Sequence, residues 1–162
     1  MSLPEITNLA QGVEIIPDIT TQPSINTIEG GIGTLLWGEN FQSYFLDMPP
    51  GAYLEEHAHP FECVVYAVRG RYVLCSQGER CVMEPGSIMS FAADTPTGYE
   101  VPFDEASFIL VFRGGKPATD AAEFMERLQE YATDGPENLN NLAADHPARQ
   151  FARVVNPAFD AA

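Results

Sequence analysis

The sequence is poor in basic residues. Only 8 of its 162 residues are Lys or Arg, whereas 23 are Asp or Glu, and the formal net charge is −15. Proteins bind nucleic acids and anionic membrane surfaces mainly through Lys and Arg, so this balance argues against both as partners. A charge surplus of this kind keeps a protein soluble and carries little information about its fold.

Long apolar runs and paired cysteines are also missing. No stretch approaches the roughly 20 apolar residues that cross a bilayer. The segment from Met1 to Ile16 has neither the basic start nor the apolar core of a secretory signal. Three Cys residues are an odd number in a chain that is long enough to fold without disulfides. We therefore expect a cytoplasmic protein with free thiols.

The remaining composition is that of an ordinary globular protein. Hydrophobic residues make up 45% of the chain and charged residues 19%. A chain of 162 residues is about one domain long, so we expect residues 1–162 to form a single domain.

The segment from about residue 33 to residue 114 reads as a series of short strands. Its apolar runs are brief and are bounded by Gly, Pro, Asn and Asp, which is typical of an all-β sandwich or barrel. Gln77-Gly78 and Glu84-Pro85-Gly86 are turn signals between such runs. The predicted strands are Gly33–Trp37, Gln42–Met48, Val64–Val68, Tyr72–Cys75, Cys81–Met83, Ile88–Phe91 and Phe108–Phe112.

The tail from about residue 118 to residue 155 has helical signals instead. Thr119 or Asp120 can cap a helix, and Glu123 completes a capping box with Asp120. Gly135-Pro136 ends this helix, and a second, short helix is predicted from Pro136 to His146-Pro147. Apolar residues at helical spacing give the first helix one apolar face: Phe124, Leu128 and Tyr131. We expect this tail to cover the barrel rather than to take part in chemistry.

His57 and His59 are the residues with the clearest chemical meaning. Alternate side chains of a strand share a face, so the two imidazoles lie close enough to hold one metal ion. Neutral imidazole is the commonest metal ligand in proteins. A His-x-His pair by itself is nevertheless a weak signal, because exposed pairs of this kind are common.

The spacing around this pair resembles the first motif of the cupin superfamily. That motif has a Gly, five residues, His-x-His, three residues, a Glu, six residues and a Gly; Gly51, His57, His59 and Gly70 fall in register. The resemblance covers roughly residues 33–114. It implies a double-stranded β-helix barrel with a small-molecule pocket in its mouth, in most members one divalent metal ion, and a homodimer.

The position of the family's acidic ligand is a departure from this pattern. Cys63 stands there, and strand parity places it on the face of the two histidines while turning its neighbour Glu62 outward. As a thiolate, Cys63 would suit Zn²⁺ or another borderline-soft ion. Two alternatives stay open: Cys63 is a small buried apolar residue, or a β-bulge reverses the parity and brings Glu62 to the site.

The second cupin motif is degenerate. Gly86 is kept, but the family's final His ligand falls on Thr97, a poor ligand for a transition metal. Asp94 lies in the same loop and is either a carboxylate that reaches inward or a turn residue, of which the second is favoured. His146, in the tail, can join the site only if the tail folds over the barrel mouth. Three tyrosines can line the pocket: Tyr53, Tyr66 and Tyr99.

Two functional hypotheses follow. In the first, His57, His59 and Cys63 hold a divalent ion (Zn, Fe, Ni or Mn), and the resemblance implies dioxygenase, isomerase or lyase chemistry on a small oxygenated molecule. In the second, the site has lost its acidic and final His ligands, and the chain is a non-catalytic ligand-binding or scaffold cupin without metal. Thr97 favours the second hypothesis, and the intact His-x-His pair favours the first.

Overall fold

The computed structural model describes residues 3–160, and its described part is dominated by antiparallel β-structure. The elements with their bounds are β1 (Thr7–Ala10), β2 (Val13–Ile15), β3 (Ile25–Thr27), β4 (Gly30–Trp37), β5 (Phe41–Met48), β6 (Ala52–His57), β7 (Cys63–Arg69), β8 (Tyr72–Ser76), β9 (Glu79–Met83), β10 (Ile88–Phe91), β11 (Thr97–Glu100), β12 (Ser107–Gly114), α1 (Ala121–Glu130), β13 (Glu137–Asn138) and α2 (Pro147–Val155).

Two sheets face each other and enclose the core. One has six strands in the order β10-β7-β12-β5-β4-β3, and the other has five in the order β13-β6-β11-β8-β9. A separate hairpin pairs β1 with β2. The all-β expectation is therefore confirmed, and each of the seven predicted strands lies within an observed one. The short strands β6 and β11, which carry His57 and Thr97, were not among those predicted.

Alternation of side chains along the strands decides what is buried. In β7, Cys63, Val65 and Ala67 are buried, whereas the intervening Val64 and Tyr66 are exposed. Successive side chains point to opposite faces, so the first set packs into the core and the second faces outward. The core is continuous across both sheets, since its members come from each.

The outer face of the six-stranded sheet is covered on one side only. Ile16 and Ile19, which precede β3, pack there against Leu35, Phe45 and Phe108. The outer face near β10 carries exposed apolar side chains: Val64, Tyr66, Ile88 and Phe112. The homodimer expected from the sequence stays a prediction, and this exposed face is where a second copy would bury apolar area.

The first tail helix agrees with the sequence prediction. The helix α1 begins after Asp120, whose carboxylate accepts a hydrogen bond of 2.8 Å from the backbone N–H of Glu123. This is the N-terminal cap expected from the capping-box residues.

The second predicted helix is wrong in its position. Residues 136–142 form the short strand β13 and one turn of 3-10 helix, Leu139–Asn141. His146-Pro147 starts a helix instead of ending one: His146 is the N-cap of α2, and Pro147 occupies its first turn. Proline is well suited to that position, because the first helical N–H has no intrahelical partner. None of the described helices is long and apolar enough to cross a membrane.

Gly70 provides a test of the fold. Its φ is +72°, and a Cβ there would lie 2.1 Å from the carbonyl oxygen of Ala106, whereas Gly78 has φ +81° and open space around it. We expect Gly78→Ala to lower the free energy of unfolding by about 1–2 kcal/mol, the cost of positive φ. Gly70→Ala should lose about 1–3 kcal/mol more through the steric clash. Urea unfolding measures both, and equal losses would contradict this packing.

Candidate metal centre

A small cavity lies between the two sheets. Its volume is about 80 Å³, well below the roughly 300–1,000 Å³ of pockets for drug-sized ligands. Its walls are mainly apolar, and its charged or imidazole side chains are Glu29, His57 and His59. The other lining residues are Tyr44, Leu46, Met48, Leu54, Val65, Tyr72, Leu74, Met89, Phe91, Thr97, Gly98, Tyr99, Ile109 and Val111.

Glu29, His57 and His59 form a compact group of potential metal ligands. One ligand atom from each lies within 4.8 Å of the others. The Nε2 atom of His57 is 2.8 Å from Oε1 of Glu29, and the two imidazole rings meet edge to face with centroids 4.5 Å apart. One carboxylate oxygen and two imidazole nitrogens are donors that Zn, Fe, Mn and Ni accept.

The orientation of His57 is fixed by its second ring nitrogen. Nδ1 lies 3.1 Å from the backbone oxygen of Glu55, so it carries the proton in the neutral ring and leaves the lone pair on Nε2. Nε2 is shielded from solvent and lacks an aligned hydrogen-bond partner, although Glu29 is close to it. The lone pair on Nε2 and the Glu29 carboxylate repel each other unless a cation lies between them. That cation can be a proton or a metal ion.

A β-bulge turns His57 toward the cavity. The pairing of β6 with β11 joins Tyr99 to Leu54 and Thr97 to His57, so β6 has one more residue than β11 between these two pairs. Because of that extra residue, Leu54 and His57 both line the cavity although they are three positions apart. Strict alternation from Leu54 would have pointed His57 outward.

Gly98 makes room for this bulge. A Cβ at residue 98 would lie 2.5 Å from the carbonyl oxygen of Leu54 and 2.8 Å from the backbone nitrogen of Glu56. The extra residue of β6 therefore bends across a position where only glycine fits. Glu56, beside the bulge, accepts a 3.2 Å hydrogen bond from the backbone N–H of Gly78 and a short one from that of Gln77, so it also supports the β8–β9 turn.

Glu29 reaches the group from the turn between β3 and β4. The hydroxyl of Thr27 accepts a hydrogen bond from the backbone N–H of Glu29 at 3.1 Å and donates one to the carbonyl of Gly30 at 3.0 Å. The phenol of Tyr99 donates to the backbone oxygen of Glu29. Sequence analysis missed Glu29 because its segment shows no strand pattern and precedes the expected barrel; the Glu-Gly-Gly turn was its only local signal.

The electrostatics of the group follow from these contacts. The Glu29 carboxylate raises the pKa of His57 above its ordinary value, against the effect of partial burial. Burial by itself would raise the pKa of Glu29, but the neighbouring His57, His59 and Arg113 outweigh burial and lower it. Burial, and next the nearby His57, lower the pKa of His59. His59 therefore stays neutral and ready to bind a metal at neutral pH.

Cys63, the third ligand predicted from the sequence, is not in this group. Strand β6 ends at His57 and β7 begins at Cys63, so the straight strand on which the parity argument depended is broken between them. Cys63 is buried in the core, and burial raises the pKa of its thiol to about 11. Its sulfur is not among the atoms grouped with those of Glu29, His57 and His59.

Of the other acidic and hydroxyl candidates, Thr97 lines the cavity, whereas Glu62 and Asp94 are exposed. Glu62 is exposed, as parity predicted. Asp94 is an exposed turn residue with φ +62°, and its backbone N–H donates to the carbonyl of His59 at 2.7 Å. Thr97 lines the cavity and pairs with His57 across the sheet. Thr97 is thus at the site, while Asp94 contributes only through its backbone.

The tail histidine and two of the three predicted tyrosines lie elsewhere. Nδ1 of His146 accepts the Ala148 N–H as the cap of α2 at 3.1 Å, and its ring stands edge-on to Tyr53, 5.5 Å between centroids. Tyr66 is exposed on the outer face, and only Tyr99 of the three lines the cavity. Tyr44 and Tyr72, which also line it, were not predicted.

Cys75 and Cys81 are free thiols, as expected. In the β8–β9 ladder Cys75 pairs with Arg80, and Cys81 pairs with Leu74. Residues on neighbouring positions of a strand point to opposite faces, so the two sulfurs lie on opposite sides of the sheet.

The Cupin domain family matches residues 44–112. No curated protein matches the sequence. Residues 44–112 are therefore similar to a cupin domain, in agreement with the fold expected from the sequence.

Three solved structures resemble the fold. A putative ethanolamine utilization protein from Salmonella typhimurium is 13% identical, with TM-score 0.59, covering 72% of this chain and 99% of that one. An RmlC-like cupin from Shewanella frigidimarina is 16% identical, with TM-score 0.53 and coverages of 70% and 96%. The DMSP lyase DddQ from Ruegeria pomeroyi is 18% identical, with TM-score 0.52 and coverages of 72% and 59%. At these identities the likeness extends to the fold alone.

The raised pKa of His57 is testable in metal-free protein. Glu29→Gln removes the carboxylate that stabilises the imidazolium, so we expect NMR titration to show a lower His57 pKa. Glu55→Gln is the matched control, because Glu55 contacts His57 only through its backbone oxygen. The contact stabilises the fold fully between the ordinary pKa of a glutamate and the ordinary pKa of a histidine. The stabilisation is lost as the pH rises through the raised pKa of His57 or falls through the lowered pKa of Glu29. An unchanged titration in Glu29→Gln would contradict the contact.

The bulge is tested by Gly98→Ala. The added methyl group collides with the β6 backbone, so the bulge must shift and carry His57 away from Glu29. We expect the His57 pKa to fall toward its ordinary value while the β-sheet circular dichroism persists. Gly114→Ala is the control, since its Cβ would meet only the flexible end of Glu62, at 3.3 Å. A wild-type His57 titration in Gly98→Ala would show that the bulge does not depend on glycine.

Proposed function

We propose that this cupin binds one divalent metal ion through Glu29, His57 and His59 and uses it to bind a small molecule in the cavity. The observation that carries the proposal is the grouping of one carboxylate oxygen of Glu29 and one nitrogen of each histidine within 4.8 Å of one another. The 2.8 Å approach of His57 Nε2 to Glu29 Oε1 requires a cation between the two atoms, and a metal ion can take the place of the proton there.

The second coordination layer supports the proposal. The backbone oxygen of Glu55 orients His57, the phenol of Tyr99 and the hydroxyl of Thr27 fix the turn that carries Glu29, and the Asp94 N–H fixes the backbone at His59. Outer contacts of this kind orient ligands and raise metal affinity. Each of the three ligands is therefore held in place before any ion binds.

Three protein ligands leave coordination positions free for water or substrate. Structural metal sites are closed by protein ligands, whereas catalytic ones keep such a position open. A bound divalent ion supplies Lewis acidity toward a carbonyl or carboxyl oxygen. We place the reaction among the dioxygenase, isomerase and lyase classes that the cupin resemblance implies.

The residues around the ion would then act on the substrate. The apolar walls hold its carbon skeleton and exclude water, and the Thr97 hydroxyl stands opposite His57 as a hydrogen-bonding group. Burial raises the pKa of Tyr44 to about 12, so its phenol is a neutral donor near neutral pH.

A non-catalytic ligand-binding cupin is the second candidate. Thr97 favours it, because it stands where the cupin motif has its final His and leaves the ion with fewer protein ligands. In that case the cavity would bind a ligand that is recovered unchanged. Turnover of any small oxygenated acid by metal-loaded protein, abolished by changing both His57 and His59, would exclude this alternative.

Metal titration tests the proposal. Protein stripped with chelator should bind about one equivalent of Zn²⁺, Fe²⁺, Mn²⁺ or Ni²⁺ by calorimetry and elemental analysis. We expect Glu29→Gln, His57→Gln and His59→Gln each to weaken binding at least about 100-fold, because even outer-shell changes cost 10–100-fold. Cys63→Ala and His146→Gln are the controls and should bind like wild type. If Cys63→Ala lost the metal while Glu29→Gln kept it, the proposal would be wrong, and Cys63 would be the third ligand.

A further inference from the structure

The ring of His59 is held differently from that of His57. A metal-binding histidine is usually oriented through its second ring nitrogen, and in His57 the backbone oxygen of Glu55 lies 3.1 Å from Nδ1. His59 lies in the loop between β6 and β7, where the backbone N–H of Asp94 donates to its carbonyl at 2.7 Å. That bond holds the backbone but leaves the imidazole able to turn about its side-chain bonds. The orientation of the His59 ring therefore depends on what it packs against.

Aromatic rings pack against the imidazole of His59. The ring of Phe61 stacks on it with an interplanar angle of 13° and with centroids 5.0 Å apart. The ring of His57 meets it nearly at a right angle, with centroids 4.5 Å apart. Stacked and edge-to-face arrangements at such distances are the favourable geometries of aromatic pairs. The contact with Phe61 thus sets the plane of the His59 ring, and the contact with His57 is compatible with that plane.

Phe61 is itself held in place by its surroundings. It packs against the hydrophobic core between the sheets. The Cζ of Arg113 lies 3.8 Å from the centroid of its ring, which is within the range of a cation–π contact. The same guanidinium lies 5.1 Å from the ring centroid of Tyr44 and 5.7 Å from that of Phe124. Phe61 therefore lies between a guanidinium that several rings hold and the imidazole of His59.

We propose that Phe61 is a positioning residue for the metal centre, which holds the imidazole of His59 in the orientation that groups its nitrogen with the ligand atoms of Glu29 and His57. The inference rests on the proposed function for the metal and adds the contact that prepares one of its ligands. Without the stack the His59 ring would rotate more freely, and metal binding would also have to restrict that rotation. The ligand itself would remain, so metal affinity should fall less than it does when His59 is removed.

Zinc titration of matched variants tests this inference. Phe61→Leu removes the aromatic ring and keeps an apolar side chain against the core, so we expect it to bind zinc about tenfold more weakly, as outer-shell changes do. Phe61→Tyr keeps the ring and should bind zinc like the wild type. Phe103→Leu is the control, because the guanidinium of Arg71 lies 4.0 Å from the Phe103 ring in a separate groove. It removes a ring from the same kind of pair and should keep wild-type zinc affinity.

A double-mutant cycle separates positioning from a general loss of structure. Because Phe61 acts through His59, Phe61→Leu should weaken zinc binding no further when it is added to His59→Gln. The inference would be overturned by a further loss in the double variant, by wild-type affinity in Phe61→Leu, or by an affinity in Phe61→Tyr as low as that in Phe61→Leu. Each of these results would leave the metal site itself intact.

A second measurement needs no metal. A proton that lies over the face of an aromatic ring has its NMR signal shifted upfield, so the ring protons of His59 should show this shift in metal-free wild-type protein at a fixed pH. The shift should persist in Phe61→Tyr and disappear in Phe61→Leu. Identical His59 signals in wild type and Phe61→Leu would contradict the stack and overturn the inference. Failure of the wild type to bind zinc would overturn the proposed function, and the His59 signals would then decide separately whether Phe61 orients that ring.

Discussion

The extra residue in β6 is the local feature on which the site depends. Without it, the alternation that turns Leu54 toward the cavity would point His57 to solvent, away from Glu29. The bulge exists because Gly98 has no side chain where the β6 backbone crosses it. The absence of a side chain at Gly98 in β11 therefore decides which way His57 of the neighbouring strand β6 points.

The candidate metal centre joins parts of the chain that differ in character. The histidines come from the end of a barrel strand and the loop after it, and Glu29 comes from a turn before the barrel. In this chain the cupin acidic position has become part of the core, at Cys63, and a carboxylate from another element stands beside the imidazoles. Hydrogen bonds hold the backbone or ring of each of the three residues, although two of them lie outside regular strands.

Charge is distributed unevenly between the surface and the interior. The chain as a whole is strongly acidic, whereas the group at the cavity joins two imidazoles to the single carboxylate of Glu29. The guanidinium of Arg113 lies behind this group, with the ring of Phe61 between it and His59.

The sequence by itself predicted seven of the strands, a helix start at Thr119 or Asp120 and the His-x-His pair, because side-chain periodicity and capping are local properties. Only the tertiary structure brings Glu29 beside the two histidines. The parity that favoured Cys63 assumed a straight strand, and the strand ends at His57. Glu29 is 28 residues from His57 in the chain, and a local sequence pattern cannot predict a contact between residues that far apart. His146-Pro147 shows the same limit: the pair marks a helix boundary, and only the surrounding structure shows that the helix begins there.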